Sequence, residues 1–271
     1  MVKSRFSRPR IRFSRHPSAP PTWPFWLDIA MMVVWGTLMM KYWISGQIVF
    51  LLHPDYVWLT IIAGIVLLAM AIFTVMRQVR TPSLATATSK LQHAAFLPKG
   101  WGSTLLLLVG ILGLLYSPRP FASDIALQRG VTDVVAVTRS QPEAFRVSSK
   151  PEDKTIVDWV RTLNVYPEPD EYQGQAVDVS GFMIHPPDLS ENYVLISRFI
   201  LTCCAADAYP VGLPVQLDSE TFEGDRANYP ADQWFRVKGT MGTEEINGDR
   251  RLTILPTSIE SIEEPRNPYD Y

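Results

Sequence analysis

Two cysteines are all that the 271 residues contain, and they stand side by side at Cys203 and Cys204. No third thiol is present to build a conventional bridge. Neighbouring Cα atoms, about 3.8 Å apart, fall short of the usual disulfide span of about 4.4–6.8 Å. A disulfide-stapled domain is therefore excluded. Histidine is scarce too, with four in the chain. There is no Ser/His/Asp set, no phosphate-cradling glycine loop, no HExxH, no carboxylate pair of readable spacing and no CxxC or CxxxH. Nothing here supports enzyme chemistry, and a non-catalytic protein is expected.

Acidic residues are scarce in the first half. Residues 1–116 hold eleven Lys/Arg against only Asp28 and Asp55, a net of +9, whereas residues 117–271 carry fourteen Lys/Arg against twenty-five acids, a net of -11. Such asymmetry is expected when two halves of a chain live in different environments. The acidic half has no basic groove, so nucleic acid is not an expected partner.

What the first half has instead is long apolar runs. FWLDIAMMVVWGTLMMKYWI (25–44) is long enough to cross the hydrocarbon core, with Lys41 near its end and Trp23, Trp26, Tyr42 and Trp43 at interfacial positions. YVWLTIIAGIVLLAMAIFTVM (56–76) carries no charge, and WGSTLLLLVGILGLLY (101–116) is shorter but uniformly apolar in its core. The loop between the first two, SGQIVFLLHPD, lacks Lys and Arg. The leader MVKSRFSRPRIRFSRH has six and the second loop has Arg77, Arg80, Lys90 and Lys99. Positive charge flanks the cytoplasmic side. The expectation is a basic cytoplasmic tail (1–24), three transmembrane helices in the cytoplasmic membrane with the lipid bilayer as partner, and an extracytoplasmic remainder. A cleaved transit peptide is the competing reading of the leader.

Residues 117–170 read as a linker. It contains a valine-rich candidate strand, VTDVVAVT, and a short helix over 152–164 whose Ile156, Val157, Trp159, Val160 and Leu163 form an apolar face. From 171 to 271 five β signals follow at 175–185, 193–203, 213–218, 233–241 and 251–262, each bounded by Gly, Pro, Asn or Asp. Five short strands without a long intervening helix predict a small mainly-β domain, an OB-like barrel, in which Gly181 and Gly239 relieve crowding at bends.

Cys203 and Cys204 fall at the end of the second predicted strand, where adjacent side chains point to opposite faces. Three readings stay open: a packed small hydrophobe, a soft-metal site with help from Asp207 or His185, and a redox-labile pair. Asp207 reads equally as a turn acid. Arg198 reads as a partner for Asp207, for an anionic group, or as an ordinary outward strand residue. His185, before Pro186-Pro187, is a loop histidine or a ligand. His53, in LLHPD, either lines a transport path or sits in a headgroup-level loop.

Several stretches together resemble a known family: Tyr166-Pro167, Gly174, Gly181-Phe182, Arg198-Phe199 with Cys204, Ala206 and Asp207, Trp234 with Lys238-Gly239-Thr240, the closing Pro265, Pro268, Tyr269 and Tyr271, and His53-Pro54 after the first span. In order and spacing they are similar to the YcgQ-like family of bacterial permease subunits, whose C-terminal region is a domain of unknown function. The resemblance implies a small membrane protein with an exposed C-terminal domain, encoded beside a polytopic permease subunit and suspected of transition-metal transport. Relatives that carry a His/Asp/Cys-rich second loop differ from this chain, which has a lone His93 there. In some relatives His stands where Cys203 does, which favours a ligand role, while the match itself singles out Cys204.

The function expected is an accessory subunit whose β-domain gates or captures substrate near Cys203, Cys204 and Asp207. The alternatives are a stand-alone membrane-anchored metal or cofactor chaperone, and a structural envelope module that binds other proteins.

Overall fold

The computed structural model describes residues 23–80, 101–131, 150–219 and 222–271. The basic leader, His93 with most of its loop, and all but the first residue of VTDVVAVT lie outside the described residues. Two compact units emerge: Met1–Ile44 with Leu59–Ser117, and Ser45–Trp58 with Pro118–Tyr271. The short loop between the first two helices therefore belongs to the same unit as the C-terminal half.

The first unit consists of α1 (Trp23–Ile44), α2 (Val57–Arg80) and α3 (Trp101–Leu115). Two helices, α1 and α2, are long and apolar enough to cross a membrane by length and composition. With 15 residues, α3 spans about 22 Å and falls short of the roughly 30 Å hydrocarbon core. Size and composition thus support two of the three expected spans. Small residues let the helices approach. A Cβ on Gly36 of α1 would meet Leu68 of α2 at 2.7 Å, and one on Gly64 of α2 would meet Met40 at 2.7 Å. Along the α1–α3 seam, Ser103 donates to Asp28 (2.5 Å), Trp35 Nε1 to the Leu106 carbonyl (3.0 Å) and Lys41 Nζ to the Leu114 carbonyl (2.7 Å). The partners rise in number together, so α1 and α3 run parallel. Lys41 satisfies a carbonyl at the C-terminal end of α3, where the helix dipole favours a cation.

In the second unit α4 (Ser123–Arg129) and α5 (Ile156–Val165) precede the sheet. Rather than occupying 152–164, α5 begins at Ile156, because Thr155 caps it. The Thr155 hydroxyl accepts from the Asp158 N–H (3.2 Å) while the Asp158 carboxylate accepts from the Thr155 N–H (3.0 Å). Glu152 and Asp153, expected in the first helical turn, lie in a separate 3-10 turn (Pro151–Asp153).

The strands are β1 (Ala176–Ile184), β2 (Tyr193–Ile200), β3 (Tyr209–Gln216), the two-residue β4 (Asp218–Ser219) and β5 (Phe222–Glu223), β6 (Trp234–Ile246), β7 (Asp249–Ser261) and β8 (Tyr269–Asp270). Pairing runs β1–β6–β7–β3–β2 and returns from β2 to β1, so five strands form a ring; β3 and β7 are parallel and the other ring pairs antiparallel. Short β8 adds in parallel to β2. Val177, Val179, Met183, Val194, Ile196, Val211, Leu213, Val237 and Ile254 share one core with Ile156, Trp159 and Val160 of α5. Residues one position out of phase, including Phe182, Ile184, Leu195 and Phe199, join Trp234, Tyr269 and Ala126 of α4 in a second core. The register of β6 against β7 shifts at Lys238/Gly239, and a Cβ on Gly239 would lie 2.0 Å from the Leu255 carbonyl oxygen. Only glycine tolerates that approach.

Candidate functional site

The second strand stops at Ile200, three residues before the first cysteine, so Cys203 and Cys204 are loop residues rather than strand residues as expected. The cause is local. Asp207 folds back over the turn, and its carboxylate accepts from the Thr202 hydroxyl, from the Cys203 N–H (2.9 Å) and from the Cys204 N–H (3.1 Å). The Asp207 N–H in turn donates to the Cys204 carbonyl (3.1 Å). A short acidic side chain that takes backbone donors competes with a sheet ladder and wins here. Both ends of the loop are anchored: the Leu201 N–H donates to the Asp270 carbonyl of β8 (2.9 Å) and the Arg129 guanidinium to the Ala208 carbonyl.

With strand alternation gone, the sulfurs do not face opposite ways. They lie 3.7 Å apart. Together with an Asp207 carboxylate oxygen, they form a trio whose ligand atoms all fall within 4.8 Å of one another. Cys203 is exposed and Cys204 half-buried. Hydrogen bonding to Asp207, then to Cys204, with smaller contributions from burial and from nearby negative charge, pushes the Cys203 thiol up to about 12. For Asp207 burial acts upward, but the donors from Thr202, Cys203 and Cys204 outweigh it and hold the carboxyl below the ordinary value.

The loop between α1 and α2 supplies the other wall. The His53 N–H donates to the Cys203 carbonyl (3.1 Å) and the Ala205 N–H to the Leu51 carbonyl (2.9 Å), framing an antiparallel bridge between Leu52 and Cys204. His53, expected to line a transport path or to sit at headgroup level, is therefore tied to the thiol loop by its backbone. Its ring packs edge-on against Tyr271 at 4.5 Å, and Nδ1 accepts from the Asp55 N–H (3.2 Å). Its imidazole is not part of the three-ligand group.

Arg198 pairs with Asp270 (2.6 Å) instead of Asp207, and its guanidinium lies 5.2 Å from the Trp234 ring centroid. Both members of the pair are largely buried, and burial raises the Asp270 carboxyl above its ordinary value despite Arg198. His185 is engaged elsewhere, with Nε2 2.8 Å from the Tyr229 carbonyl, and does not join the thiols. Thr202, Asp270 and the backbones of Leu51 and His53 escaped the sequence reading. Thr202 to Asp207 is a local spacing that could have been read, whereas the others are long-range.

Two family models match the chain in order: the DUF1980 N-terminal domain over residues 27–132 and the DUF1980 C-terminal domain over residues 149–271. The chain belongs to the DUF1980 family. Most of the helical unit and most of the thiol-bearing unit fall in the N- and C-terminal matches respectively. The chain is 25% identical over 109 residues to protein YcgQ of Bacillus subtilis (strain 168), covering 40% of this chain and 36% of that one. It is 28% identical over 109 residues to a Streptococcus mutans serotype c (strain UA159) protein named "Putative two-component membrane permease complex subunit", covering 40% and 37%. The match thus spans little more than a third of the length of these relatives. No solved structure matches.

Proposed function

We propose that this protein is the non-catalytic accessory subunit of a membrane permease. Its helices dock on a polytopic partner in the bilayer, and its C-terminal unit lies on the extracytoplasmic side. There that unit captures or gates substrate at the loop of Cys203, Cys204 and Asp207. The observation that carries the reading is the relationship to a protein named as a permease complex subunit, combined with two long apolar helices. A ring of five strands with a parallel β3–β7 closure supports treating the C-terminal unit as an OB-like barrel. Packing of loop 45–58 and residues 118–271 into one unit supports placing both on the same side of the bilayer, which requires α3 to be the third crossing.

The test is purification of the full chain from native membranes in mild detergent. A stoichiometric polytopic partner is expected. A chain that elutes alone at every detergent and salt condition, while still folded, would refute the subunit reading and favour a stand-alone membrane-anchored protein.

A further inference from the structure

We infer that Cys203, Cys204 and Asp207 form an exchangeable site for a thiophilic divalent cation with tetrahedral preference, of which zinc is the type, with the fourth coordination position open to solvent. The inference rests on the reading of this loop as the capture site and gives that site a ligand class.

The geometry supplies the argument. Two thiolates on a tetrahedral ion at about 2.3 Å stand about 3.8 Å apart, and a linear two-thiolate centre with similar bonds needs about 4.6 Å. The observed separation is 3.7 Å. Free thiols in van der Waals contact reach the same spacing, so the third ligand decides. Asp207 brings a carboxylate oxygen within 4.8 Å of both sulfurs. A carboxylate offers about four lone-pair directions. Thr202, the Cys203 N–H and the Cys204 N–H occupy three of them, two on Oδ2 and one on Oδ1. The remaining capacity accepts from the Cys203 thiol in the metal-free protein. Loss of that proton on thiolate formation opens it to a cation, while the other three donors hold the carboxylate in place. That is the support that fixes a ligand before the ion arrives.

Exposure sets the kinetic character. Structural zinc sites are closed by four protein ligands, whereas sites that exchange or process a ligand keep a position open. Here three ligands converge, Cys203 is exposed, and the described residues add no fourth donor within the cluster. An ion held by three ligands at a surface loop can be taken up and passed on. The same loop carries the Cys203 carbonyl and Ala205 N–H that bond to the α1–α2 connection, so ligation occurs where the sheet-bearing half meets the segment between the first two helices.

The test uses the full-length protein in detergent, reduced and stripped with a chelator, then titrated with Co(II) alone and with Zn(II) alone against a chromophoric chelator. One equivalent is expected to bind, with a tetrahedral ligand-field spectrum and a thiolate-to-cobalt charge-transfer band that Zn(II) abolishes. Cys203→Ser and Cys204→Ser should each weaken Zn(II) binding at least about tenfold, since even outer-shell changes cost roughly that much, and the double variant should lose the charge-transfer band. Circular dichroism reports folding of the variants, and the spectrum of the unaltered chain stands without them. Absence of saturable one-to-one binding, an octahedral spectrum without charge transfer, or a spectrum unchanged in the folded double variant would overturn the site. Co-purification of the polytopic partner is scored separately. Loss of metal binding with the partner retained overturns this inference alone, and loss of the partner with metal binding intact overturns the subunit reading alone.

Discussion

Because Asp207 accepts from Thr202, Cys203 and Cys204 at once, a fixed carboxylate stands against the Cys203 sulfur and pushes its pKa up to about 12. A raised thiol pKa keeps the proton on below that value, and the reactive thiolate accumulates only as pH rises through it. Exposure and reactivity are thereby separated. In metal-free protein, an impermeant maleimide should modify Cys203 slowly at neutral pH, with a rate still climbing at pH 10. Asp207→Asn replaces the charged acceptor of the thiol's hydrogen bond by a weaker neutral one and should raise the neutral-pH rate by on the order of tenfold or more, the gain in thiolate being partly offset by its lower nucleophilicity. An unchanged rate in a folded Asp207→Asn variant would show that the carboxylate does not control the thiol. None of this was legible from residue types alone. The run YVLISRFILTCC has strand-forming composition throughout, and only the fold-back of Asp207 ends the strand early. Arg198 had a plausible partner nine residues on, yet its actual partner, Asp270, is delivered by β8 from 72 positions away.

At the scale of elements, α1, α2, α3, α5 and the five main strands were readable because apolar periodicity and Gly/Pro punctuation agree along the chain. The short α4 was not read, and β3 begins at Tyr209, ahead of the 213–218 signal. Gly239 marks a bend where backbone approaches backbone. Gly239→Ala should lower the denaturation midpoint, with a cost at or above the roughly 1–3 kcal/mol of overpacking, since its new methyl would meet main chain rather than a movable side chain. A midpoint equal to that of the unaltered chain would argue against the close approach. What could not be read is the pairing of loop 45–58 with the thiol loop, because two residues of backbone complementarity leave no compositional trace. The bridge has a sharp geometric consequence. Hydrogen bonds from His53 to Cys203 and from Ala205 to Leu51 flank Leu52 and Cys204, making them a non-hydrogen-bonded antiparallel pair. Such pairs have Cα atoms about 4.5 Å apart, at the lower edge of the disulfide range. Leu52→Cys in a Cys203→Ser background should therefore cross-link to Cys204 under mild oxidant, readable as a mobility shift after proteolysis between the two segments. A control Cys at Gln47 should not. Failure of the Leu52 variant to cross-link would dissolve the bridge.

For the whole molecule, that bridge constrains membrane topology through parity. Loop 45–58 follows α1 and precedes α2, and it packs in one unit with residues 118–271. Segments packed together occupy one side of a bilayer, so the chain between Leu59 and Ser117 must cross an even number of times. If α2 crosses, a second crossing must follow it, and α3 is the apolar helix available among the described residues. Its parallel alignment with α1, through Asp28–Ser103, Trp35–Leu106 and Lys41–Leu114, is the direction such a return requires. The deficit of about 8 Å against the hydrocarbon core is of a kind that local thinning or a neighbouring helix absorbs. Charge agrees: the last turn of α2, the end that would face the cytoplasm, carries Arg77 and Arg80, whereas the acidic half lies beyond α3. In a Cys203→Ser/Cys204→Ser background, single cysteines at Ser45 and Ser117 should both react with an impermeant thiol reagent added to intact cells. A cysteine at Gln78 should react only after permeabilisation. Labelling at Ser45 without labelling at Ser117 would mean that α3 does not cross, and would separate the loop from the domain on which the thiol site is built.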